Sequence, residues 1–307
     1  MSQHISDLYT KNYKYLIIFS MLILIAGLAQ LGYQYSTTGD FFTKGVSLKG
    51  GLTIKVLEPT ADENGISEIL KQEFPKSDIE VRTLSSSGQV LGLAVKIDLD
   101  INDQKEIQRF KEVLLKAVPT LTQEQLEENT QAISPQLGSS FFQATFRSMI
   151  LAFLFMALVV YLYFKVPIPS VAVILCAFAD VSVTMAITNL LGIKISTAGI
   201  AAFLMLIGYS VDTDILLTTY LLKARKEDRV HNVYRAFKTG CMMNGTTLVA
   251  VTMGILLTMS PDIQQILTII LIGILIDQIM TWVQNAGIMM WYLEWTDKKK
   301  EAKNVQA

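Results

Sequence analysis

Charge is scarce in this chain. Asp, Glu, Lys and Arg make up 17% of its 307 residues, against roughly a quarter in an ordinary soluble domain. So little charge means that much of the folded surface does not face water. Cysteine is nearly absent: Cys176 and Cys241 lie in or beside apolar runs, and residues 34–140 have none. That excludes a disulfide framework in the polar part of the chain. The two histidines, His4 and His231, stand far from any cysteine or acid cluster, so no metal site and no cofactor are expected. No Ser/His/Asp or Cys/His grouping offers a nucleophile, and the chain does not read as an enzyme. Gly45–Gly51 lacks the spacing and the trailing Ser/Thr of a phosphate loop. The first apolar run, Leu16 to Leu31, has no small-residue cleavage site and is expected to stay as an anchor.

Long apolar runs are what the chain does have. Six stretches approach the roughly 20 apolar residues that span a bilayer: 15–33, 144–164, 168–191, 197–222, 240–259 and 263–291. Arg147 interrupts the start of the second. Lys11 and Lys14 precede the first run, Lys165 follows the second, six Lys and Arg residues fill 223–239, and Lys298, Lys299, Lys300 and Lys303 lie in the tail. With six spans all of these fall on one side, which the basic-loop bias makes the cytoplasm. The expectation is a multi-pass protein of the cytoplasmic (cell) membrane with both termini, 1–14 and 292–307, inside. The basic loop 223–239 reads as a topology signal rather than a nucleic-acid patch.

Residues 34–143 then form an extracytoplasmic domain. Leu52–Leu57 is rich in strand formers, and Ile66, Ile69, Leu70 and Phe74 recur at helical spacing. Ile79–Leu84 and Val90–Ile97 alternate as strands around a Ser-Ser-Ser-Gly turn at 85–88. Asn102 or Asp103 can cap a helix whose apolar face is Ile107, Phe110, Val113, Leu114 and Ala117, and a last strand lies near Asn129–Ile133. The order β-α-β-β-α-β is the α+β ferredoxin-like pattern.

Four acids lie near the centres of the apolar runs: Asp180, Asp212, Asp214 and Asp277. No Lys or Arg lies at comparable depth. A charged side chain at mid-bilayer costs roughly 2.5–3.5 kcal/mol on insertion scales, and such residues mark ion or proton paths. Asp212 and Asp214 are about 200° apart around a helix, so one can face this bundle and the other a second subunit. Ser210 and Thr218 share the Asp214 stripe, and Gly208 stands one turn from Asp212. Thr246 and Thr247 are candidate supporting hydroxyls. Asn189, Gln278, Gln284 and Asn285 read as helix–helix glue. The competing reading makes all four acids structural hydrogen-bonding groups.

The sequence Gly208-Tyr209-Ser210-Val211-Asp212-Thr213-Asp214 resembles the fourth-span signature of the SecF family, accessory proteins of the Sec translocon. Asp180-Val181, the glycine element Gly45–Gly51 and Ile133–Gly138 match the family's other landmarks in order, and Asp277-Gln278 with Gln284–Gly287 looks like the archaeal branch. The bacterial signature places its acid at the position of Thr213, and Ser47 stands where the glycine element has an acid. The resemblance implies a six-helix bundle that is half of an RND-type fold. It implies a SecD-like partner, the SecY translocon and exported polypeptide as contacts besides membrane lipid, and coupling to the proton gradient. No nucleic-acid partner is expected, since the basic loop 223–239 serves topology. A small-solute or lipid transporter subunit of the same architecture is the alternative, and an assembly factor without coupling is a third.

Overall fold

A computed structural model describes Tyr9 and residues 12–59, 61–86, 89–258 and 260–306. His4, Lys11 and the Ser87–Gly88 half of the expected turn lie outside the described residues. Among the described residues, helix α1 (Tyr13–Thr38) leads into a one-turn helix α2 (Val46–Lys49) and then the α+β domain. That domain comprises β1 (Gly51–Val56), α3 (Glu63–Glu73), β2 (Ile79–Ser86), β3 (Gln89–Ile97), α4 (Gln104–Ala117), α5 (Gln123–Glu128) and β4 (Thr130–Ile133). Five long helical stretches follow: α6 (Pro135–Phe164), α7 (Pro167–Leu190), α8 (Thr197–Leu222), α9 (Arg229–Leu257) and α10 (Pro261–Ile279). A π-helical segment, Met280–Asn285, joins α10 to α11 (Ala286–Gln306) without a break. Among the described residues, six helices are long and apolar enough to cross a membrane.

The sheet order is β2-β3-β1-β4, all pairs antiparallel, which is the ferredoxin-like arrangement expected from the element order. Strand alternation sends Leu52, Ile54 and Val56 to one face, where Ile66 and Leu70 of α3 and Phe110 and Leu114 of α4 cover them. Asp62 and Asp103 cap α3 and α4 by accepting backbone N–H bonds. The sequence reading missed α5, held by a Thr122–Gln125 capping box, and α2. Gly92 adopts φ +155°, and a Cβ there would lie 2.0 Å from the Val56 carbonyl oxygen, so β1 and β3 can approach only over a glycine.

In the bundle, α7 and α8 are central, with 67% and 56% of their apolar windows buried, whereas α6 buries 6% and α9 17%. The surface that α6 and α9 present is apolar and uncovered by this chain. The stretch Pro261–Asn304 is one helical rod of 44 residues, about 66 Å at 1.5 Å per residue. That is about twice the hydrocarbon thickness, so its last turns stand clear of the core.

The glycine element joins the two parts. Lys44 makes a parallel bridge with Ile195 in the α7–α8 loop. Gly45 N–H donates to the Ile195 carbonyl (2.9 Å), Ile195 N–H to the Thr43 carbonyl (2.7 Å), and Thr197 N–H to Ser47 Oγ (3.2 Å). Ser47, where the resemblance expects an acid, is thus an acceptor for the start of α8. Asp78, just before β2, receives Lys49 Nζ (2.9 Å) and Lys194 Nζ, and Lys96 reaches Asp262 at the start of α10 (3.3 Å). Burial pushes the Asp78 carboxyl up, but hydrogen bonds and charge from Lys194 and Lys49 outweigh it and hold the group below its ordinary value.

Two outcomes follow from this packing. Phe110 is fully buried and meets Phe74 edge-on at 5.8 Å, so Phe110→Ala should destabilise the α+β domain by about 3–5 kcal/mol, read by limited proteolysis of the whole chain. Because the Asp78 carboxyl sits low in the folded protein, its contribution is present above the ordinary carboxylate value and lost as pH falls through the lowered one. The hydrogen-exchange protection factor at Thr43–Lys49, taken against the intrinsic rate at each pH, should therefore stay high at neutral pH and fall only below the ordinary carboxylate value, whereas Asp78→Asn should lower it at neutral pH.

Candidate functional site

The centre of the bundle is polar, and helical spacing explains how. Cys176, Asp180 and Thr184 recur every four residues on α7, as do Ser210, Asp214 and Thr218 on α8, so each trio shares one face. α10 brings Asp277, and the π-helical segment brings Thr281, Gln284 and Asn285. All of these side chains are buried. Small residues let the helices close on one another. A Cβ at Gly273 would lie 2.4 Å from Leu206, and one at Gly240 2.7 Å from the Trp282 ring. Glycine at 273 therefore sets how near α10 comes to α8.

Three of the four expected acids meet here. Ser210 Oγ donates to Asp180 Oδ2. Thr281 Oγ1 lies 3.0 Å from Asp214 Oδ1 and 3.2 Å from Asp277 Oδ1 and bridges the two carboxyls. Asn285 Nδ2 donates to Asp214 Oδ1 at 2.9 Å and lies 3.3 Å from Thr218 Oγ1. Asn244 Nδ2 of α9 donates to Asp277 Oδ2 at 2.9 Å. Asp180 Oδ1 and Asp214 Oδ2 receive no hydrogen bond among the described residues. Four helices thus supply one network, with hydroxyl and amide donors facing the acids. An unpaired polar oxygen in such a place is costly, so both open oxygens are positions where a proton or water can bind.

Asp212 is not part of this network. It is exposed on the outward face of α8 with Met205, Gly208 and Tyr209, and a Cβ at Gly208 would meet nothing within 4 Å. Of the two neighbouring acids, Asp214 turns in and Asp212 turns out. Thr246 and Thr247 do not join either: both hydroxyls donate back to the Met243 carbonyl, at 2.7 and 3.1 Å. That self-bonding satisfies a hydroxyl wherever its helix face points. Gln278 ties α9 to its own helix by accepting from Cys241 Sγ (3.3 Å) and Trp282 Nε1 (3.2 Å), and Asn189 holds the Phe41 carbonyl (2.8 Å).

The sequence reading missed Cys176, Asn244 and Thr281, and took Asn285 for glue. The spacing of four from Cys176 to Asp180 and along Asp277, Thr281 and Asn285 was available as a signal. Nothing local marks Asn244, which faces Asp277 only because α9 packs on α10. Sγ of Cys176 and one carboxyl oxygen each of Asp180 and Asp214 lie within 4.8 Å of one another. Three donors fall one short of a closed tetrahedral metal site. Asp277, the acid beside them, already has both oxygens engaged.

A six-span bundle with acids at its centre and a ferredoxin-like domain inserted after the first span defines a multi-pass membrane protein. The sequence profile described as "Protein export membrane protein SecD/SecF, C-terminal" matches residues 113–295. SecF of Pyrococcus furiosus is 34% identical over 91% of this chain and 91% of its own length. SecF of Methanocaldococcus jannaschii is 35% identical over 94% of this chain and 99% of its own. The crystal structure of SecDF from Thermus thermophilus, a translocon-associated membrane protein, superposes with a TM-score of 0.68 at 18% identity, over 95% of this chain and 38% of that one. The fold is therefore shared with about two fifths of that longer chain. The chain belongs to the SecF family of protein-export membrane proteins.

The network sets a contrast between positions. Asp214→Leu would remove the acceptor that Thr281 and Asn285 share, leaving them Asp277 and Thr218, and should cost about 1–3 kcal/mol. Thr246→Val and Thr247→Val should change stability by less than about 0.5 kcal/mol. Denaturant unfolding in detergent, followed by Trp fluorescence, checks both.

Proposed function

We propose that this chain is the SecF subunit of a Sec-translocon accessory complex that assists protein export across the cell membrane by using the proton gradient. The observation that carries the proton-coupled part is the convergence of Asp180, Asp214 and Asp277 at the buried meeting point of four helices, in spans that hold no Lys or Arg at that depth. Acids placed so, with open oxygens and neighbouring hydroxyls, are suited to taking up and releasing protons. Both termini and the basic loop at 223–239 face the cytoplasm in this reading, and the α+β domain lies outside.

Asp212 supplies the argument for a partner. A carboxylate on an outward helix face at mid-span is unfavourable against lipid, and a second six-span subunit of the SecD kind would cover it. SecY and the exported polypeptide complete the assembly in this reading. The α+β domain favours a polypeptide client over a small solute. Its groove of about 400 Å³ between α3 and α4 is rimmed by Glu73, Arg109, Glu112 and Lys116, unlike the largely apolar pockets that hold small molecules. Strands β2 and β4 are the sheet edges, and edges of this kind take up extended chain.

The coupling runs from the acids to the outer domain along α10. Its start holds Lys96 of β3 through Asp262, and Gln265 receives the N–H of Ser196 at 3.2 Å. A change of protonation at Asp277 or Asp214 thereby reaches the α7–α8 loop and the domain, provided the bundle has two states that both ends bias.

The test is export in cells that depend on this chain. Replacing Asp180, Asp214 and Asp277 by Asn, singly and together, should slow maturation of a secreted reporter, and collapsing the proton gradient should slow the parent but not the triple variant. Unimpaired export by the triple variant would remove the relay. Purification from native membranes should retrieve a SecD-like chain, and Asp212→Lys should weaken that association without unfolding the bundle. Recovery of the chain without such a companion would overturn the subunit assignment.

A further inference from the structure

The π-helical segment lies between the residues that touch the acids. Asp277 precedes it, Thr281 lies within it, and Asn285 closes it. In a regular α-helix the eight residues from Asp277 to Asn285 advance 800°, leaving Asn285 roughly 80° off the Asp277 line. The wider i→i+5 turn takes back much of that drift. In the structure Asp277, Thr281 and Asn285 accordingly address one neighbour: Thr281 bridges Asp277 and Asp214, and Asn285 binds Asp214. None of the usual local causes of a distorted helix, a proline or a glycine, occurs within Met280–Asn285.

The consequence for Asp214 is asymmetry. Its Oδ1 accepts from both Thr281 and Asn285, while no N–H or O–H donor among the described residues reaches its Oδ2, and the Cys176 thiol is the other donor beside this carboxyl. The titratable groups around it are Asp277 of α10 and Cys176 and Asp180 of α7, and Asp180 too has an open oxygen, Oδ1. With Oδ1 pinned, the exchangeable position is Oδ2.

We propose that the π-helical segment is the device that turns Asn285 onto Asp214, and that Asn285 is a positioning residue that fixes which carboxyl oxygen exchanges the proton. The inference rests on the reading of Asp214 as a proton carrier. A shift of the segment to α-helix would swing the amide away and leave Oδ1 with Thr281 alone, so the register of this one turn and the state of the acid bias each other.

Infrared difference spectroscopy of the full chain in lipid nanodiscs, between neutral and acidic pH, tests this. The carboxyl C=O stretch of Asp214 is identified as the band lost in Asp214→Asn. It should move to higher wavenumber in Asn285→Leu, because the C=O loses a donor. It should stay near the parent position on deletion of Val283, a half-buried apolar residue, because a regular helix then advances about 700° from Asp277 to Asn285 and leaves the amide about 20° from the Asp277 line; insertion of one alanine after Val283 should move the band as Asn285→Leu does. Asn285→Gln, which keeps the amide, should restore much of the parent position. An unmoved band in Asn285→Leu overturns the positioning role, and a band that moves on the Val283 deletion as far as in Asn285→Leu overturns the role of the π-turn. Absence of any Asp214 band at every pH overturns the proton-carrier reading and this inference with it. A moved band alongside export that ignores Asp214→Asn leaves the positioning standing and sinks only the coupling.

Discussion

Three carboxyl side chains in one apolar bundle are expensive unless every neighbour is polar in the right place, and the arrangement of α7 to α11 follows from meeting that demand. Asp180 takes Ser210, Asp277 takes Asn244, and Asp214 takes Thr281 and Asn285. Each donor comes from a different helix than its acceptor, apart from the Thr281–Asp277 contact along one rod. The helices are therefore held in register by hydrogen bonds as well as by apolar packing, which in lipid lacks the drive it has in water. Glycine at 273 and 240 permits the approach that makes these bonds short enough.

The same rod that carries Asp277 also grips the α+β domain. At one end of α10, Asp262 and Gln265 hold β3 and the α7–α8 loop, and at the other its π-turn holds Asp214. The glycine element after α1 adds a second attachment through Lys44, Gly45 and Ser47. An element that looks like a phosphate loop in sequence is in fact a joint, and its glycines serve close backbone contact. A Cβ at Gly51 would fall 2.2 Å from the Ile97 carbonyl, which explains why the strand must begin on glycine there.

Much of this architecture was legible from residue patterns because those patterns report local physics. Apolar runs of spanning length, strand alternation at Leu52–Val56 and the helical stripe of Ile107, Phe110 and Leu114 each describe a segment's own burial. The four acids stood out for the same reason, since an ionisable side chain in an apolar run is anomalous by itself. The site's membership was less legible. Thr246 and Thr247 were as good candidates by type as Thr281, but a hydroxyl can satisfy itself on its own helix and then contributes nothing. Asn244 and Cys176 enter only because α9 meets α10 and α7 meets α8 at their depth.

The sequence by itself determined that the chain crosses a membrane, that its polar insert is a small α+β unit, and that acids lie at mid-span. These are properties of single segments and their cost of transfer from water. Tertiary structure alone decided that Asp214 turns inward and Asp212 outward, that Asp180, Asp214 and Asp277 share one network, and that a π-turn brings Asn285 onto it. Which way a helix face points depends on what packs against it, and one residue of helical register is worth about 100°, a difference that composition and spacing along one helix do not carry.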